Sequence, residues 1–427
     1  MALLMLFSFF FNKRFNIITG DNGLGKTFIL ESIWWMLTNT WTNDPLYPGI
    51  ENIKKGPSII SSGTEGNDGA SNFQVAFYNR GSSEWQKTEE SSDQALIIYA
   101  KANGIFAVMD PNINSSPFAE KEGRSLVFTK NEIWEGLVEN IRDVNSLKSR
   151  KGASTYLCNG LINDWVIWQQ ANDSSFDILK RVLKQLSPPN TSDLGLLIPG
   201  SLVRLPYDSR IMPTIKHPYG EIPVIHASEG VRRILSLAYL IVWTWQEHKL
   251  YSENSRKDIA KNMVFLIDEI EVHLHPQWQR KILPAMLEVS SELSSELDIQ
   301  FMITTHSPIV TGSVENIFDD YKDRLFHLDI SSERHSKNAD VTINDIEFEK
   351  RGTIDSWLTS DAFNLDQPRG SIKSEKVISK AIEMQSNIDA TKDDVEKITN
   401  ELRKVLGPFD IFWSRWRSYA DSFGIKL

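Results

Sequence analysis

The stretch GDNGLGKT at residues 20–27 constrains this chain more than any other. Gly20, Gly25, Lys26 and Thr27 satisfy G-x-x-x-x-G-K-[ST], and the flanks give the pattern its context. An apolar run, Phe15 to Ile18, leads in as a strand; Phe28, Ile29, Ile33 and Leu37 recur at helical spacing after it. Glycines at these positions let backbone N–H groups curl around phosphate oxygens, and the helix start adds the positive end of its dipole. Lys26 is placed to reach β/γ-phosphates and Thr27 to ligate Mg2+. The expected ligand is therefore a nucleoside triphosphate with its magnesium ion.

Three later segments extend this reading. Met263–Ile267 form a short apolar run ending in Asp268 and Glu269. It is expected to be a buried parallel strand, with Asp268 at the carboxyl end where ligands gather in an open α/β sheet. Asp268 would then hold Mg2+ through water. Glu269 would polarise the attacking water, a general-base role of about 10²–10⁴ in rate. The segment SEGVRR, residues 228–233, opens a long apolar helix. A serine hydroxyl with free helix N–H groups makes an anion site, and the same pattern is also an ordinary N-cap. IQFMITTHSP, residues 299–308, is another buried strand, ending at His306. His273 and His275 with Glu271 invite a zinc reading, but no further ligand cluster stands at the usual spacing.

The order of these segments resembles that of ABC-type ATPases: phosphate loop, signature, Walker B strand, switch histidine. The resemblance covers residues 12–40 and 220–330. Within the loop, Gly20, Asn22, Gly23, Gly25, Lys26 and Thr27 match G-x-N-G-x-G-K-[ST], as in the SMC and RecF branches. Ser228 and Gly230 match the signature, with Glu229 in place of its second glycine. The resemblance implies an α/β fold, an ABC-type head with an inserted β/α arm and a helical C-terminal tail. It implies ATP and Mg2+ as ligands, with Thr27 and Asp268 on the metal, and Glu269 and His306 as catalytic residues. Ser228 and Gly230 would meet the nucleotide of another subunit, in a homodimer or higher even oligomer. Turnover would be slow and regulatory.

Within that class the chain is similar to SMC-like and OLD-like ATPases of bacterial antiviral defence. LIIYAKANGIFAVMDP, CNGLINDWVIWQ and FWSRWRSY look similar to the Septu PtuA type, which pairs with an HNH nuclease. A nuclease partner in defence is the implied setting, with DNA a possible ligand. Two alternatives stand beside it: a RecF/SMC-type repair or chromosome ATPase, and a nucleotide sensor that does not hydrolyse. No nuclease pattern stands out in the chain itself; Asp319-Asp320 and the group Asp393, Asp394, Glu396 do not fit the Toprim arrangement. A Q-loop glutamine is hard to place, with only Gln169 and Gln170 to consider.

Composition narrows the setting. The net charge of −10 does not advertise a nucleic-acid surface, though it leaves room for a local basic patch. One cysteine, Cys158, excludes an internal disulfide and suits a reducing, cytoplasmic compartment. The apolar stretch 2–11 is about half of what a spanning helix needs, so no membrane is expected. It is either a buried strand or a sign that the first strands usual in such ATPases are missing.

The chain divides by pattern into a first part of the head (1–45), inserted strands and a helical arm (46–205), the rest of the head (206–345) and a helical tail (346–427). Residues 54–71 are expected to be a loop. Residues 95–110 read as a hairpin around Asn103-Gly104, sharing a small antiparallel sheet with 73–79. Residues 131–144 and 164–186 read as helices, and the many tryptophans mainly as core. The cluster Phe412, Trp413, Arg415, Trp416, Arg417 is either a protein-docking site or an anchor for the tail.

Overall fold

The computed structural model describes residues 11, 13–43, 45–47, 59–65, 71–88, 95–113, 125–140, 154–188, 195–330, 341–387 and 389–426. The reading of residues 2–10 lies outside them. The described chain clusters into two compact units, residues 1–357 with 361–363, and 358–360 with 364–427.

The first unit is built on one eight-stranded sheet. In chain order its strands are β1 (Phe15–Gly20), β2 (Leu96–Ala100), β3 (Phe106–Met109), β4 (Leu126–Phe128), β5 (Asn262–Ile267), β6 (Asp298–Thr304), β7 (Arg324–Ile330) and β8 (Val341–Ile346). Across the sheet they run β8-β7-β1-β6-β5-β2-β3-β4. The middle strands β7, β1, β6, β5 and β2 are mutually parallel. β8, β3 and β4 are added antiparallel at the edges. Parallel strands end together, so one edge of the sheet collects the residues following β1, β2, β5 and β6.

Parallel strands are covered on both faces, which is why their sequences are nearly continuous apolar runs. On one face Leu266, Tyr99 and Met302 pack against Leu30 and Trp34 of α1 (Lys26–Thr38). On the other, Phe265 and Phe301 stack with centroids 5.4 Å apart. They share a core with α2 (Leu161–Ala171), α3 (Ser174–Leu186), α4 (Glu229–Ser255) and α5 (Ile282–Leu293). Each such buried aromatic contributes about 1.5–3 kcal/mol. In α4 every residue from Ile234 to Trp245 is buried, the signature of a helix enclosed on all sides.

Several expectations are corrected here. Residues 59–65, expected within a loop, form a strand paired antiparallel with Ser71–Asn79; the register, from Ile59↔Phe77 to Glu65↔Ser71, comes from the partner strand and not from local propensity. The hairpin at 95–110 forms, but in the central sheet, because β2 pairs in parallel with β5. Ser71–Asn79 belongs to a different, three-stranded sheet. Residues 46–205, expected as an inserted arm, thus supply three strands to the central sheet and three helices, Lys130–Glu135, Leu161–Ala171 and Ser174–Leu186, to its core. The helix expected at 131–144 stops at Glu135. Gly136 has φ 105, a Cβ there would come within 2.9 Å of two carbonyl oxygens, and Leu137–Asn140 continues as a strand. The helix expected at 164–186 is two helices, divided at Asn172 in the left-handed region and restarted by Asp173, which accepts from the Phe176 N–H.

The second unit holds α6 (Ile372–Ser386), α7 (Lys392–Val405) and α8 (Phe412–Ser422). Thr391 and Asp394 form a capping box at the start of α7. The aromatic–basic cluster is partly core of its own unit, with Arg415 and Arg417 left exposed. Phe412 and Trp416 are core, packed with Val377, Ile378, Val395 and Leu402 of the same unit. The sequence repeats aromatics four apart, which on a helix places them on one apolar face. No helix among the described residues is long and apolar enough to cross a membrane.

Candidate nucleotide site

The phosphate loop leaves β1 at Gly20, whose φ of 128° and 2.6 Å approach of a would-be Cβ to the Leu328 carbonyl admit only glycine. Gly25, at φ 97°, starts α1 with no side-chain cap, and no acidic residue lies in the first turn. Its N–H groups are therefore left to an anion. The Lys26 Nζ donates to the carbonyls of Gly20 (2.7 Å) and Asp21 (2.9 Å). Burial pulls its pKa down, opposed by the charges of Glu269 and Asp268. Phosphate oxygens would replace these neutral acceptors with charge-assisted ones, which are stronger.

Asp268 follows β5 and is buried. Its carboxylate accepts from the Thr27 hydroxyl (2.8 Å) and from the Thr304 hydroxyl at the end of β6 (2.7 Å). Thr27 and Asp268 are 241 residues apart in sequence. A hydroxyl and a carboxylate in contact are the hard oxygen donors that Mg2+ takes, so these two residues fit the ion. Glu269 stands next in the left-handed region, φ 47°, its N–H donated to Thr304 Oγ1 at 2.8 Å. The His306 Nε2 lies 3.9 Å from the Glu269 carboxylate, buried and without a hydrogen-bond partner. Burial, then the Lys26 charge, lowers the His306 pKa, so the ring is neutral at pH 7. Glu271 accepts from the Thr305 hydroxyl and the His306 N–H and so sets the loop that carries the histidine.

Gly20, Lys26, Thr27, Asp268, Glu269 and His306 therefore meet at one edge of the sheet. Ser228 caps α4 through a 3.5 Å bond from the Val231 N–H and is exposed. Gly230 packs on the loop after β5: a Cβ there would stand 2.4 Å from the His273 carbonyl. His275 caps a short helix, accepting from the Gln277 N–H. Among the described residues no group of three or more His, Cys, Asp or Glu side chains is arranged to hold a metal. Gln169 is occupied elsewhere, bonded to Trp165 and to the Gly200 carbonyl.

Sequence reasoning passed over two residues here. Lys101, following β2, makes a buried ion pair with Glu31 of α1 and bonds Thr42 at 2.8 Å. Arg233, in the first turns of α4, reaches the carbonyls of Lys101, Ala102, Asp268 and Glu269. The available signal was position: Lys101 ends a strand that could have been placed beside β5.

Comparison with known proteins agrees with this geometry. The family described as AAA ATPase domain matches residues 219–311, and that described as AAA domain matches 6–187. The chain is 27% identical over 191 residues to the Retron Ec83 probable ATPase of Escherichia coli, covering 44% of this chain and 30% of that protein's length. It is 21% identical to the Septu protein PtuA of Bacillus thuringiensis, over 93% of this chain and 92% of that one. A Retron Vc95 probable ATPase of Vibrio cholerae is 28% identical over 28% of this chain and 22% of its own length. Among solved structures, the recombination mediator RecF in its ATPrS complex covers 79% of this chain and 93% of its own, with 10% identity and a TM-score of 0.35. Motif order, sheet topology and the sequence matches are those of a P-loop ATPase, and the chain is similar to the Septu and retron ATPases of bacterial defence.

Proposed function

We propose that the chain binds and hydrolyses ATP slowly at the edge described above, closes as a dimer over two nucleotides, and through that closure controls a partner nuclease. The observation that carries the reading is the convergence of Thr27, Asp268, Glu269 and His306, from three separate segments, beside an uncapped helix start. Lys26 and the N–H groups of Asn22, Gly23 and Gly25 hold the phosphates. Thr27 and Asp268 hold Mg2+, which neutralises charge on the phosphate oxygens. Glu269 takes the proton of the attacking water, and neutral His306 orients the γ-phosphate side. Ser228, exposed at its helix start, contacts the nucleotide held by the second copy, with the buried Gly230 beneath it letting the helix start lie close to the loop after β5. The whole-length likeness to Septu PtuA supports the nuclease partner and the defence setting.

Mixing two dead chains tests the dimer. Lys26→Ala and Ser228→Arg homodimers each have both sites impaired. Their heterodimer has one doubly damaged site and one intact site, so part of the ATP turnover returns. Heterodimers that form and recover nothing would refute the action of Ser228 in trans.

A further inference from the structure

The start of α4 and the loop after β5 touch at two points. At one, Gly230 lies against the His273 carbonyl so closely that a Cβ would stand 2.4 Å away. At the other, the Arg233 guanidinium spreads over two strand ends. Its Nη1 donates to the carbonyls of Lys101 (3.3 Å) and Ala102 (3.2 Å), and its Nη2 to those of Asp268 (3.3 Å) and Glu269 (3.5 Å). All four acceptors are backbone; the carboxylates of Asp268, Glu269 and Glu271 act on the guanidinium through space and oppose the pull of burial on its pKa. A charge withdrawn from water onto neutral acceptors is costly, so its fork geometry has a use other than simple pairing.

That use lies at Glu269. The residue sits at φ 47°, a conformation that is strained for a non-glycine residue and persists only when held. The Thr304 hydroxyl holds its N–H from one side, and Arg233 holds its carbonyl from the other. Lys101, whose carbonyl Arg233 also takes, is tied by its side chain to Glu31 of α1. One guanidinium thus joins the helix capped by Ser228, the backbone of both Walker B carboxylates, and a strand end bonded to the phosphate-loop helix.

We propose that Arg233 is a positioning residue that holds Glu269 in its working conformation and couples it to the Ser228 end of α4. An anion engaging that helix start in trans would then be felt at the catalytic carboxylate of the same protomer. This step rests on the trans role given to Ser228 above; the clamp on Glu269 does not.

The test uses the full chain with Arg233→Ala, Arg233→Gln and Arg233→Lys. Hydrogen exchange by mass spectrometry, without nucleotide, reads the clamp independently of any hydrolysis. Peptides spanning 268–274 should exchange at least about fivefold faster in the Ala and Gln variants, while those spanning 20–30 stay as in the parent. In turnover, kcat should fall about tenfold to a hundredfold with KM for ATP within about twofold. Lysine, a point donor that cannot serve both strand ends, should recover only part of either readout. Unchanged exchange at 268–274 overturns the clamp, as does full recovery by lysine. Loss of ATP affinity, melting temperature and protection across the whole sheet together would make Arg233 a structural residue and overturn it too. A parent protein that binds ATP without turning it over, yet shows the exchange difference, would overturn the hydrolytic reading and leave the clamp standing.

Discussion

At the loop edge of the sheet Gly20, Gly23, Gly25, Glu269 and His273 all have positive φ; within α6, α7 and α8 no residue does. Polar atoms differ in the same way. At the edge, Lys26 leans on two backbone carbonyls and the His306 Nε2 is buried with no bond. In the helical unit Trp416 Nε1 donates to Thr399 Oγ1, Trp413 Nε1 to the Gly407 carbonyl and the Tyr419 hydroxyl to the Met384 carbonyl. Both regions carry charged side chains, so charge alone marks neither. Between these two regions, positive-φ backbone and incomplete bonding go with the candidate nucleotide edge and relaxed backbone with the helical unit, although Trp34 Nε1, Thr244 Oγ1 and Trp245 Nε1 show unbonded donors in the packed core as well.

The largest effect that could break this contrast is at Glu269. Glu269→Gln should keep ATP bound and lower turnover by about 10²–10⁴, accumulating the closed dimer in mass photometry with ATP. Turnover at the parental rate would move the base elsewhere. Next is Trp416→Ala, which removes a fully buried ring and should cost the helical unit about 3–5 kcal/mol in denaturant unfolding. If ATP turnover of the isolated chain survives where the unit still folds, the two regions are energetically separate. Lys26→Ala follows: its loss of charge-assisted bonds, about 1.5–3 kcal/mol, should weaken ATP about tenfold to a hundredfold by calorimetry. An affinity within twofold of the parent would remove the lysine from the phosphates.

Smaller effects sharpen the comparison. The His306 ring should titrate by NMR below the ordinary value of about 6.5, since burial and then Lys26 disfavour its charged form. Folding stability tied to this ring is complete above the ordinary value. It is lost as pH falls from there toward the lowered one, because the unfolded chain takes up the proton first. In Lys26→Ala the titration should move back up; no movement would mean that burial acts alone. Smallest of all, Phe409→Ala changes a side chain 96% exposed and should alter stability by no more than about 0.5 kcal/mol, a few residues from Trp416. A larger loss would place Phe409 in the packed region.

What the sequence by itself determined are the pieces whose chemistry is local. The strand–loop–helix at 15–38 is legible because glycine positions, lysine and apolar spacing lie within one stretch. The strands before Asp268 and His306 are legible because burial on both faces writes itself as an unbroken apolar run. Local composition also left a choice open: FWSRWRSY reads as a recognition patch or as an anchor, and only helical spacing against α6 and α7 puts Phe412 and Trp416 in the core. What tertiary structure alone decided are contacts between distant segments. Lys101 meets Glu31 across 70 residues, and Arg233 meets the Lys101 carbonyl across 132. The placement of 95–110 beside β5 is of the same kind. No residue type or spacing encodes which strand lies beside which. That is settled when many parallel pairings and both apolar faces are satisfied together, and the clamp on Glu269 exists only once they are.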